Sequence, residues 1–140
     1  MSREILFNYA MRFAGVPYKW GGDDPMSGID CSGLVIELMQ SQGLLPRGFD
    51  STAKGIHAFF AAKTVSAPEF GALLFFGKPE ISHTAFALSD TLMLEAGGGD
   101  STVVDLKTAE AKNAFVRVRP ISWRHDLAAI VKPEYPWGAS

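Results

Sequence analysis

Residues 71–96 read GALLFFGKPEISHTAFALSDTLMLEA, and apolar or alternating runs stand out within them at 72–76, 83–88 and 92–96. Each run has the length of a strand and is bounded by Gly, Pro, Ser or Asp, the residues that turn a chain. Similar runs recur at 102–106, 115–118 and 128–131. Upstream of Gly71 the period changes. Residues 3–14 place Ile5, Leu6, Tyr9 and Phe13 on one helical face, with Gly15 and Pro17 as stops. Residues 31–42 carry Leu34, Val35, Ile36, Leu38 and Met39 with no Gly or Pro after Gly33, which predicts a largely buried helix closed by Gly43. A third, weaker helix is expected over 52–63. Helices followed by strands predict an α+β fold, with N-terminal helices packed on an antiparallel sheet.

The chain has 140 residues, the length of one domain, and a single domain over 1–140 with a loosely held tail at 133–140 is expected. A 47% hydrophobic and 20% charged composition excludes a disordered chain. With 13 Lys and Arg against 15 Asp and Glu, the basic excess that nucleic-acid binding needs is missing. One cysteine, Cys31, allows no internal disulfide, and three histidines offer no zinc cluster of familiar spacing. Arg3, Glu4 and Arg12 break up any apolar signal-peptide core, and no run approaches the ~20 apolar residues of a membrane span. The sequence therefore reads as a chain made in the cytoplasm.

Cys31 falls at the start of the second helix, with Asp30 at the N-cap position. A thiol placed there meets unpaired N–H groups and the positive end of the helix dipole, which favour a thiolate. Lone cysteines are commonly small buried hydrophobes, yet Ser27-Gly28-Ile29-Asp30-Cys31-Ser32-Gly33 is too small and polar to line a core. A cysteine nucleophile needs a base and a group to orient that base. His57 lies inside the third helix and His125 in a polar loop, whereas His83 opens a strand. If 83–87 pairs with 91–95 across a loop at 88–90, His83 lies opposite Glu95 and shares a face with Ala85, Ala87 and Met93. The small alanines leave room for the cysteine helix beside the histidine. A Cys31–His83–Glu95 relay follows from that pattern.

Four blocks then occur in order: Tyr18-Lys19-Trp20-Gly21-Gly22, Asp30-Cys31-Ser32-Gly33-Leu34-Val35, Gly71-Ala72-Leu73-Leu74-Phe75-Phe76 and Ile81-Ser82-His83. Together they resemble the NlpC-type (NlpC/p60) cell-wall cysteine peptidases over roughly residues 3–120. The resemblance implies a papain-like core and hydrolysis of peptidoglycan stem peptides, typically between γ-D-glutamate and a diamino acid such as meso-diaminopimelate. It implies that Cys31 is the nucleophile and His83 the base. Tyr18 matches a family tyrosine whose hydroxyl lies near the thiol, and Asp30 an aspartate implicated in holding substrate. Leu94-Glu95-Ala96 departs from the family, because Glu95 stands where histidine, asparagine or glutamine is commoner.

The expected chemistry is acyl transfer to water without a cofactor or metal, the oxyanion met by the Cys31 backbone N–H and by Tyr18. An amidase or acyltransferase on the same machinery and a catalytically silent wall-binding or phage-tail module are the alternatives. Lacking an export signal, such an enzyme would reach the wall by lysis, in a virion or through a secretion machine, and would then have a virion, secretion-machine or immunity-protein partner. Gly97-Gly98-Gly99-Asp100 reads as a turn rather than a phosphate loop, and Gly22-Asp23-Asp24 as solvated loop. Trp20 either lines the cleft or covers the core.

Overall fold

A computed structural model describes residues 2–24, 28–99 and 102–138. Helix α1 (Arg3–Met11) is followed by a two-residue ladder of β1 (Asp23–Asp24) and β2 (Gly28–Ile29), then by α2 (Cys31–Ser41) and α3 (Ala53–Phe60). The sheet comprises β3 (Leu73–Phe76), β4 (His83–Ala87), β5 (Leu92–Gly97), β6 (Phe115–Pro120) and β7 (Leu127–Val131), with α4 (Leu106–Lys112) inserted before β6. Its order is β6-β5-β4-β3-β7, and every neighbouring pair is antiparallel. Among the described residues no helix is long and apolar enough to cross a membrane.

The period of the strands sorts their side chains into two layers. Leu73, Phe75, Phe86, Leu94, Val116 and Val131 join Leu6, Leu34, Leu38, Met39, Ile56 and Ala109 in the main core, so all four helices contribute to one face. On the reverse face Ala72, Leu74, Phe76, Ala85, Ala87, Met93 and Ile130 form a second apolar layer, closed by Val65 and Ile121. Helix α2 therefore packs on the face opposite Ala85 and Ala87, against the expectation that the alanines would receive it. The bulky side chains Phe75, Phe86 and Leu94 make the larger apolar face, and a helix as apolar as α2 is most stabilised there.

Two further expectations are corrected. Residues 102–106 form no strand. The β-branched Thr102, Val103 and Val104 suggested one, but Asp105 caps α4 by accepting the Thr108 N–H at 2.8 Å, ahead of the helix-favouring Ala109-Glu110-Ala111-Lys112. The tail is not loose over 133–138: Tyr135 is 5% exposed, donates its hydroxyl to the Gly71 carbonyl at 2.6 Å and stacks on Trp137 at 4.6 Å. The last two residues of the expected tail, and Ser27 and Asp100 of the quoted motifs, lie outside the described residues.

Candidate active site

The start of α2 is fixed by one carboxylate. Asp30 Oδ1 accepts the Gly33 N–H at 2.7 Å and the Ser32 hydroxyl at 3.2 Å, while Oδ2 accepts the Gly21 N–H at 2.9 Å. The Asp30 carbonyl takes the Leu34 N–H, the first bond of the helix. Gly33 lets the Gly21-Gly22 turn lie against the helix, since a Cβ there would collide with the Gly22 carbonyl oxygen. Cys31, the first helical residue, is held half-buried in this cage. Asp30 is thus the expected N-cap, and both its oxygens are engaged by the protein itself.

His83 is the first residue of β4, 9% exposed, with its ring 5.7 Å from that of Phe76. Its Nε2 lies 3.4 Å from Glu95 Oε2, and the Cys31 thiol is close enough to act on its protonation. With Nε2 turned to the carboxylate, Nδ1 is the nitrogen left for sulfur. Burial disfavours the imidazolium, but the hydrogen bonds to Cys31 and Glu95 and the negative charge of both outweigh it and raise the His83 pKa to about 9. Burial likewise opposes ionisation of Glu95. The hydrogen bond to His83 and the charges of His83, Arg119 and Arg124 prevail and hold the carboxyl below its ordinary value.

The register that brings His83 and Glu95 together differs from the expected one by two residues. Phe86 pairs with Leu94 and Ala87 with Met93, so continuing the ladder puts Gly97, not Glu95, across from His83. A shift of two preserves the faces, which is why the contact survives. The Glu95 side chain reaches along the strand over Gly97, and a Cβ on Gly97 would collide with its Oε1.

A cleft of about 700 Å³ opens over Cys31. Tyr18, Trp20 and the Gly21-Gly22 turn line one part of it, and Ile36, Glu37 and Gln40 of α2 with residues 48–53 line another. Trp20 belongs to this wall and is 54% exposed, so it is not core. Tyr18 is buried, with its ring packed on Gly99. His57 stacks edge-on against Phe75, and His125 is exposed in the turn before β7.

The sequence profile of the NlpC/P60 family matches residues 15–120, three-quarters of the chain and all of the elements just described from Tyr18 to β6. The chain belongs to the NlpC/P60 family. It is 34% identical over 120 residues to the bifunctional muramidase/DL-endopeptidase CwlT of Bacillus subtilis (strain 168), covering 81% of this chain and 35% of that protein. It is 32% identical over 131 residues to dipeptidyl-peptidase 6 of Lysinibacillus sphaericus, covering 92% and 42% respectively. The chain thus spans less than half the length of these curated relatives. Among solved structures, the NlpC/p60 domain of the peptidoglycan hydrolase SagA superposes with a TM-score of 0.67 at 25% identity, covering 95% of this chain and 100% of that one. An NlpC/P60 protein of Bacillus cereus ATCC 10987 gives 0.73 at 22% identity over 97% and 41%. These likenesses make the fold the papain-like α+β arrangement of NlpC/P60 domains.

Two residues at this NlpC/P60 site were missed in the sequence. Arg119 Nε lies 3.8 Å from Glu95 Oε1, and Arg124 adds its charge near Glu95 and Cys31. For Arg119 the alternation Arg117-Val118-Arg119 beside a glutamate-bearing strand was the signal, since it places Arg119 on the face of Glu95.

Proposed function

We propose that this NlpC/P60 chain is a peptidoglycan endopeptidase that cuts stem peptides with Cys31 as nucleophile, His83 as proton carrier and Glu95 as the residue that orients the ring. The observation that carries the reading is a buried His83, set 3.4 Å from Glu95 and coupled to the thiol of Cys31, which lines an open cleft. A catalytically silent module would have no use for a buried histidine held between a thiol and a carboxylate. The names of the relatives, two of them peptidases, support the same chemistry.

Cys31 Sγ bonds to the scissile carbonyl carbon, its proton having passed to His83, and the oxygen takes up the negative charge beside the Cys31 N–H at the positive end of α2. The Gly33 and Leu34 N–H groups are already taken by Asp30. His83 then gives its proton to the departing amine as the C–N bond breaks, leaving a thioester. A water loses its proton to His83 and attacks the thioester, and the Sγ–C bond breaks to release the acid and return the thiolate–imidazolium pair. Tyr18 lines the cleft as the second polar group for the carbonyl, and Asp30 fixes the helix start.

The preferred bond is that between γ-D-glutamate and the diamino acid of the stem. Mass spectrometry of purified muropeptides incubated with the protein tests this: the expected products are the two fragments of that bond, absent with Cys31→Ala. Intact muropeptides under conditions where the thiol is reduced would overturn it.

A further inference from the structure

Glu95 is only 3% exposed, and a carboxylate so buried is ionised only beside a positive charge. His83 supplies one, but in the cycle above the imidazole is neutral each time it has handed its proton to the leaving amine. For that interval Glu95 would be a buried anion facing a neutral ring. A cation that never loses its proton is needed, and among side chains only arginine meets that requirement.

Arg119 is built for it. It pairs with Met93 across the β5–β6 ladder, so its side chain lies on the Glu95 face one step along the sheet. Its guanidinium lies 4.3 Å from the centre of the Trp123 ring, and the side chain is 15% exposed. Nε, 3.8 Å from Glu95 Oε1, is buried and makes no hydrogen bond among the described residues. A buried N–H without an acceptor is costly, and here its nearest anion is the oxygen that His83 does not use. The other charges around Glu95 are committed elsewhere. Arg117, directly across the ladder, has a buried Nε without an acceptor as well, but its Nη2 donates to the Asn113 carbonyl at 2.5 Å, and it is Arg119 whose Nε is ion-paired with Glu95. Arg124, from the turn before β7, is bound to both oxygens of Asp126 at 2.9 and 2.7 Å and covers Phe76. Cys31 and His83 complete the set from α2 and β4.

We propose that Arg119, clamped on Trp123, is a positioning residue that keeps Glu95 anionic and aimed at His83 while the imidazole is neutral. The assignment rests on the peptidase reading of the site.

The test has a readout that needs no substrate. Titration of the Glu95 side-chain carboxyl by carbon NMR should show its midpoint displaced upward in Arg119→Met, restored in Arg119→Lys, and displaced by less in Trp123→Ala, which keeps the cation but frees it. On muropeptides, Arg119→Met should lower kcat about tenfold and leave KM within about twofold. In a Glu95→Gln background, where there is no anion to hold, the same substitution should change kcat by less than about twofold. An unmoved Glu95 midpoint in Arg119→Met, or equal losses of kcat in both backgrounds, would overturn the proposal. Should Arg119→Met not fold, the Arg119→Lys and Trp123→Ala titrations decide alone. Absence of muropeptide cleavage by the unmodified protein would count against the peptidase reading, while the carboxyl titration still judges Arg119.

Discussion

His83 carries opposing influences whose balance can be read directly. Its folded pKa of about 9 stands above the ordinary value of 6.5 because hydrogen bonds and charge outweigh burial. A raised value means that the protonated ring stabilises the fold fully below pH 6.5, and that this contribution is lost as pH rises through about 9. Glu95, held below its ordinary value, contributes above pH 4.5 and loses its contribution as pH falls through its folded value. Stability should therefore be greatest between these limits. Since the imidazolium is the acid for the leaving amine, kcat/KM should fall as pH passes about 9. Glu95→Gln removes an anion from His83 and should bring that alkaline limb to lower pH. Cys31→Ala, followed by the His83 ring proton in NMR because it turns nothing over, should lower the titration midpoint too. Coincident His83 titrations in the parent and both variants would show that the three groups are not coupled.

At the scale of elements, the contact between His83 and Glu95 depends on a residue with no side chain. Gly97→Ala places a methyl where Glu95 Oε1 lies, and the carboxylate, at the end of a flexible chain, can swing away at little cost to the fold. The expected result is a melting temperature within a few degrees of the parent together with a clear loss of kcat. A full kcat would show that the Glu95 path over Gly97 is dispensable. Asp30→Ala should lose stability as well as activity. It removes an N-cap and the tie to Gly21, costing about 1–2 kcal/mol in denaturant unfolding, and misplaces Cys31 as well. Unchanged stability with altered KM would instead mark Asp30 as a substrate contact. Helix α2, its Asp30 cap and strands β3 to β5 were legible because period, capping and turn residues agreed over those stretches. Helix α4 was not, because β-branched Val103 and Val104 run straight into its cap. The register was missed by two because the turn at 88–91 is longer than the sequence suggests, with Leu88 and Ser89 N–H groups both donating to the Leu92 carbonyl. The face against which α2 packs was hidden because both faces of this sheet are apolar, so alternation alone could not choose between them.

For the whole molecule, the C-terminal segment ties the sheet to the helix that bears the nucleophile. Tyr135 hydroxyl donates to the Gly71 carbonyl just before β3 and lies 3.7 Å from Met39 Sδ of α2, while Trp137 Nε1 donates to Gln42 at 3.3 Å. Burial pushes the Tyr135 phenol well above its ordinary pKa, so it remains a neutral donor throughout the working range. The segment is thus a floor beneath the C-terminal half of α2, far along the helix from Cys31. Its loss should weaken the scaffold before it disturbs the chemistry. Tyr135→Phe deletes one buried hydrogen bond and should cost about 1 kcal/mol, whereas Tyr135→Ala also empties a packed aromatic site and should cost about 3–5 kcal/mol. In both variants kcat measured well below the melting temperature should stay near that of the parent, and the activity lost on heating should follow the unfolded fraction. Thermal unfolding by circular dichroism, run beside muropeptide turnover at two temperatures, separates the possibilities. A Tyr135→Ala protein that melts with the parent would show that the segment is not part of the core. One that melts earlier yet also loses kcat in the cold would show that the floor sets the position of Cys31 and not only the stability of the helix that carries it.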